Sequence, residues 1–112
     1  MTQRALAAAE ALAERGVSAA VWSVSCPLEV DMEALREACG LGCVLTVEDH
    51  HADTGMGSIL AVAMARHGLL AKMRNLGVTR YGDSGPSPAV LAAMGLDEKG
   101  IAQSFLELRE GR

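Results

Sequence analysis

The stretch from Val44 to Ala61 constrains the fold more than any other. Val44-Leu45-Thr46-Val47 is a short run of apolar and β-branched residues, which reads as a strand ending in Glu48, Asp49, His50 and His51. Thr54-Gly55-Met56-Gly57-Ser58 then forms a glycine-broken turn, and Ile59-Leu60-Ala61 opens a helix that is apolar almost all round. A parallel α/β sheet places its ligands and interfaces at such a point, where the carboxyl end of a strand faces the amino end of a helix.

The rest of the chain fits that frame. Its 112 residues suit one domain, 1–112, with no room for a second core. Hydrophobic residues make up 50% of the chain, but Trp22, Tyr81 and Phe105 are the only aromatics. The core must therefore be aliphatic, which favours helices packed on a sheet over an all-β sandwich. Ten basic against 14 acidic residues, with no basic run, argue against nucleic-acid binding. The longest apolar runs fall well short of the ~20 residues of a membrane span, and no signal peptide is visible, so a cytoplasmic protein is expected. Cys26, Cys39 and Cys43 are odd in number and sit in hydrophobic segments, and are read as buried, reduced thiols of an intracellular protein.

Helix and strand signals alternate along the chain. Ala5, Leu6, Ala9, Leu12 and Ala13 fall at helical spacing, with Gly16 closing the helix. Residues 19–24 predict a short buried strand, ended by Pro27. Asp31 caps a helix through Met32, Leu35 and Ala38 that stops at Gly40. A strand is expected over 43–47, a helix over 57–67 closed by Gly68, and a weaker strand over 75–80. Ser87 is expected to cap a short helix with Pro88 at its first position. Asp97 opens a last amphipathic helix with Ile101, Ala102, Phe105, Leu106 and Leu108 on one stripe. The expected architecture is a three-layer α/β/α domain with a mostly parallel sheet.

Several residues carry competing readings. Glu48, Asp49, His50 and His51 could ligate a metal with Cys39 and Cys43, but neither Cys-x-x-Cys nor His-x₃-His spacing is present. They fit equally a solvated strand end with a capping acid, or a loop against a partner domain. The Gly55-Met56-Gly57-Ser58 turn offers backbone N–H groups at a helix start, which suits an anion, yet it holds no Lys or Arg. Close helix–strand packing explains the same glycines. Ser84, within Gly82-Asp83-Ser84-Gly85-Pro86, reads as a turn residue rather than a nucleophile. Met56, Met64, Met73 and Met94 read as core filler, and His67 suits the dipole at a helix end.

Taken in order, the motifs resemble the C-terminal domain of transketolase-like, thiamine-diphosphate-dependent enzymes. Thr46-Val47-Glu48-Asp49-His50 with Gly55-Met56-Gly57-Ser58 is similar to that family's V-x-T-V-E-[DE]-H strand and its glycine turn. Ala5, Ala8, Ala9, Leu12 and Gly16 resemble its first helix, and 21–28 its next strand with the P-L-D element, the aspartate arriving late at Asp31. Leu76-Gly77-Val78 with Arg80-Tyr81-Gly82-Asp83-Ser84-Gly85, and Leu91 with Met94-Gly95-Leu96-Asp97 and Ile101, resemble its closing segments. The acid-acid-histidine run is most similar to transketolases split into two subunits and to deoxyxylulose-phosphate synthase-like proteins.

The resemblance implies a domain without catalytic, cofactor-binding or metal-binding residues, in an enzyme that transfers a two-carbon ketol unit between sugar phosphates. Thiamine diphosphate and Mg²⁺ are expected between the other domains of the full enzyme. Partners are expected to be those remaining domains or a second subunit, with homodimer packing. Glu48, Asp49, His50, His51, Gly55, Gly57 and Ser58 become interface candidates. In the family a strand precedes the first helix, and Met1-Thr2-Gln3-Arg4 is too short and polar to supply it. The sheet is therefore expected to lack its first strand and to show an open edge, as a fragment or subunit of a larger enzyme would. The competing expectation is a stand-alone α/β interaction module that kept the fold and lost the catalysis.

Overall fold

The computed structural model describes residues 1–82 and 84–112, leaving Asp83 of the late loop outside the described residues. The elements follow as α1 (Thr2–Glu14), α2 (Met32–Gly40), β1 (Cys43–His51), α3 (Met56–Arg66), β2 (Lys72–Val78), α4 (Ser87–Ala93) and α5 (Glu98–Glu110). Local chemistry explains where the helices start. Asp31 accepts a hydrogen bond from the Ala34 N–H at 3.0 Å, and Asp97 from the Gly100 N–H at 2.8 Å. Each satisfies a backbone donor that the helix leaves unpaired, a contribution of about 1 kcal/mol. Ser87 is not the cap expected of it. The helix already begins there, behind Pro86, whose ring fixes φ at −58°.

β1 and β2 pair in parallel, Val44 opposite Met73 and Thr46 opposite Asn75. Alternation along β1 divides the core. Leu45 and Val47, with Leu76 of β2, pack on one face against Ala8 and Leu12 of α1 and Ile101 and Ala102 of α5. Val44 and Met73 pack on the other against Leu35 and Cys39 of α2 and Met64 of α3. The three-layer α/β/α arrangement is thus present, around a parallel sheet of two strands among the described residues. Burial of these aliphatic side chains is the main cohesive force, at about 25 cal/mol per Å² of apolar surface removed from water.

Residues 19–24 depart from expectation. They do not form a strand, and among the described residues no backbone hydrogen bond involves 18–25. The inner side chains of a strand are still visible, since Val17, Ala19 and Val21 are half-buried while Ser18, Ala20 and Trp22 are exposed. A strand needs a neighbour for its N–H and C=O groups, and here the space beside it is open. Cys26 is a second correction: it is exposed at the end of this segment, whereas Cys39 is buried and Cys43 half-buried. Burial among apolar neighbours pushes the Cys39 thiol above its ordinary pKa, the behaviour of an unreactive packing residue. No helix among the described residues is long and apolar enough to cross a membrane.

Candidate functional site

The functional candidates gather at the carboxyl end of β1, where the strand pairing is distorted. Val47 faces Leu76 and His51 faces Val78, so β1 advances four residues while β2 advances two. The surplus bulges out of the ladder at Glu48, Asp49 and His50. Gly77 makes the bulge possible. A Cβ at that position would lie 2.6 Å from the His50 carbonyl oxygen and 3.2 Å from the Ala52 Cα. The chain rejoins the sheet where the Ala52 N–H donates to the Val78 carbonyl at 3.0 Å.

The bulge sorts the four polar residues into two kinds. Glu48 is turned inward and is 8% exposed, while Asp49, His50 and His51 are exposed. One Glu48 carboxylate oxygen accepts from the Gly57 N–H at 3.4 Å, and Oε1 is buried without a hydrogen-bond partner among the described residues. A carboxylate at the amino end of α3 is favoured by the helix dipole, by ~0.3–1 kcal/mol or somewhat more when buried. His51 is tied locally, its Nδ1 accepting from the Asp53 N–H at 3.2 Å.

The glycine turn is a packing device. A Cβ on Gly55 would come within 2.6 Å of the Glu48 Cδ. One on Gly57 would overlap the Asn75 amide and sit 2.6 Å from the Thr46 hydroxyl. The backbone of α3 therefore lies directly on the sheet. Polar groups trapped beneath it pair among themselves: the Thr46 hydroxyl donates to Asn75 Oδ1 at 3.2 Å, and Asn75 Nδ2 to the Ala52 carbonyl at 3.4 Å. Ser58 closes the turn by donating to the Asp53 carbonyl at 2.7 Å.

Of the seven interface candidates, Glu48, Gly55 and Gly57 are buried, Ser58 is half-buried, and Asp49, His50 and His51 face solvent. The turn does not suit a diphosphate. Its helix end is already occupied by the Glu48 carboxylate, which would repel an anion, and no lysine or arginine lies in the turn. Ser84 is exposed in a bend. The Thr46–Asn75 pair and the part played by Gly77 escape a reading of the sequence. Polar residues at the same depth of two apolar strands are the available signal, but it becomes legible only with the register.

Beside β1 the molecule is open. A cavity of about 650 Å³ runs between residues 19–26 on one wall and 43–48 on the other, with α1 and α2 alongside. Met1 and Thr2 reach this cavity, and the Thr2 and Ser23 hydroxyls are 3.2 Å apart.

Comparison with known proteins gives this geometry a family. Residues 1–101 match the family model described as transketolase, C-terminal domain. The chain is 34% identical over 104 residues to a Methanocaldococcus jannaschii protein named for a transketolase C-terminal section, covering 92% of this chain and 32% of that one. It is 34% identical over 101 residues to 1-deoxy-D-xylulose-5-phosphate synthase 1 of Geobacter sulfurreducens, covering 88% and 16%. With a subunit of the apulose-4-phosphate transketolase of Phocaeicola vulgatus it shares 33% identity over 98 residues, covering 86% and 31%. The chain thus spans about a third of the length of the first and third relatives and about a sixth of the second. Aligned over most of its length with relatives of this kind, the chain belongs to the transketolase C-terminal domain family.

Proposed function

We propose that this chain is the assembly-supporting C-terminal domain of a cytoplasmic, homodimeric transketolase-like enzyme. That enzyme transfers a two-carbon ketol unit between sugar phosphates, with thiamine diphosphate and Mg²⁺ held by its other domains. The chain itself supplies structure and contact surface rather than a reacting group. The observation that carries this reading is the division at the end of β1. Glu48, Gly55 and Gly57 form a buried anchor, and the bulge holds Asp49, His50 and His51 out at the rim. Polar side chains held on a rigid base suit contact with a partner surface, because little conformational entropy remains to be lost on docking.

Reconstitution with the remainder of the enzyme tests the proposal. The isolated chain gives no heat when titrated with thiamine diphosphate and Mg²⁺, and ketol transfer requires both parts. His50→Ala with His51→Ala raises the dissociation constant of the two parts about tenfold, the scale of one or two lost interfacial hydrogen bonds, while thermal unfolding of the isolated chain is unchanged. Micromolar cofactor binding by the chain alone, or unaltered assembly of the double variant, overturns the reading.

A further inference from the structure

The two ends of the sheet carry opposite charge. Helices run against the strands: Gly57 of α3 lies at Thr46 and Met64 packs with Val44, while α5 passes Lys72 with Arg109 and Arg74 with Glu107. Helix starts therefore gather at the carboxyl end of the strands and helix ends at the amino end. At the carboxyl end Arg4 pairs with Glu98, which leaves Glu29, Asp31, Glu33, Asp49 and Asp53 exposed against Lys99 and Arg80. At the amino end Arg74 pairs with Glu107 and Arg112 with Glu110, which leaves Arg15, Arg66, Lys72 and Arg109 exposed against Glu14. Arg36 and Glu37, adjacent on α2, offset each other. Helix dipoles favour this sorting and account for it without any partner.

They do not account for the apolar side chains at the same two ends. The four most exposed large apolar residues fall two to each end. Leu28, at 83%, precedes the Asp31 cap by three residues, and Tyr81, at 103%, follows Val78 at the end of β2 by three. Leu41, at 64%, and Leu70, at 89%, each stand two residues ahead of the paired Cys43 and Lys72. One exposed leucine needs no explanation, but apolar pairs set in opposite charge at opposite ends are complementary halves of one contact. We infer that the chain associates head to tail, the basic amino end of one copy against the acidic carboxyl end of the next. Either end against its own kind brings like charges together, so the contact is heterologous and continues into a row or a ring. The acidic end also holds the rim of Asp49, His50 and His51, so a chain docked to its enzyme there keeps only its basic end free. The inference itself does not rest on that docking.

Analytical ultracentrifugation of the full chain provides the test. Its average mass rises between about 20 µM and about 1 mM without levelling at a pair. Raising salt from about 50 mM to about 500 mM weakens the association about tenfold, and Arg15→Glu with Arg66→Glu, which alters charge alone, weakens it at least as much. Leu41→Ser with Leu70→Ser disables the basic end, and Leu28→Ser with Tyr81→Ser the acidic end. All four side chains are exposed, so thermal unfolding of both variants matches the parent. Each variant alone stays monomeric, and an equimolar mixture forms one-to-one pairs, because each contributes its intact end. A parent chain that is monomeric throughout, a dimer that survives in either variant alone, or a mixture of folded variants that stays monomeric overturns the inference. So does a monomer that sediments with phosphatidylserine vesicles, which assigns the basic end to a membrane. His50→Ala with His51→Ala leaves the head-to-tail association unchanged, so its failure and that of reconstitution are read separately.

Discussion

The two sides of β1 make an internal experiment in what a strand needs. On the β2 side the edge is paired, α3 is seated directly on the sheet, and the Thr46 and Asn75 side chains beneath it bond each other. On the other side, residues 19–24 include the β-prone Val21, Trp22 and Val24, yet they form no strand. Composition is therefore not all that separates them. The packed side has neighbours for its backbone and the open side has none among the described residues, so β-prone residues pair on one side and leave a segment without ladder hydrogen bonds on the other.

Truncating the packed side should have the largest effect. Met64→Ala removes a buried side chain from between α3 and the sheet and is expected to lower stability by about 3 kcal/mol in urea unfolding. A loss under 1 kcal/mol would mean that this side is as loose as the other. Gly57→Ala comes next, at about 2 kcal/mol, because its Cβ has no room beside Asn75 and Thr46. Adding Asn75→Ala to that variant is expected to return about 1 kcal/mol through relief of the overlap. Strictly additive losses would move the cause away from that contact.

A smaller effect concerns the outer tie between α5 and β2. Gln103 donates to Glu107 at 2.9 Å and Arg74 to its other oxygen at 3.2 Å, and together they hold the Glu107 carboxyl below its ordinary pKa. A lowered folded-state value means that the contribution is fully present above the unfolded carboxylate's range and fades as pH falls through the lowered value. Glu107→Gln should therefore flatten the acid limb of a stability profile and leave other slopes unchanged. The open side should respond least. Val24→Ser, at a residue 43% exposed on the cavity wall, is expected to shift unfolding of the isolated chain by no more than about 0.5 kcal/mol. A larger loss would show that the cavity is packed in solution.

What is legible in the sequence follows the same division. Caps announce α2 and α5 because Asp31 and Asp97 act within three residues of themselves. The strand–turn–helix unit at 43–66 is legible because β-branched residues and glycines mark it locally. The strand expected at 19–24 does not form because pairing is a property of two segments, and the residues of one cannot report the other's absence. Strand ends also differ from expectation: β1 continues to His51 and β2 begins at Lys72, both set by the ladder between them. Burial of Cys26 fails for the reason that the 19–24 strand fails. At the site, the acids, histidines and glycines are visible as a group, but which of them turn inward depends on a bulge that no single segment encodes.

That bulge has one more consequence. Because β1 runs two residues longer than β2 between the Val47 and His51 pairings, the ladder on either side keeps its alignment whatever Asp49 and His50 carry. The rim is thereby insulated from the frame. Side chains there can be exchanged for a different neighbour without reversing which face of β1 looks inward. A scaffold held fixed by Gly77 and Glu48 can thus carry different side chains at Asp49 and His50 without moving the strands beneath them.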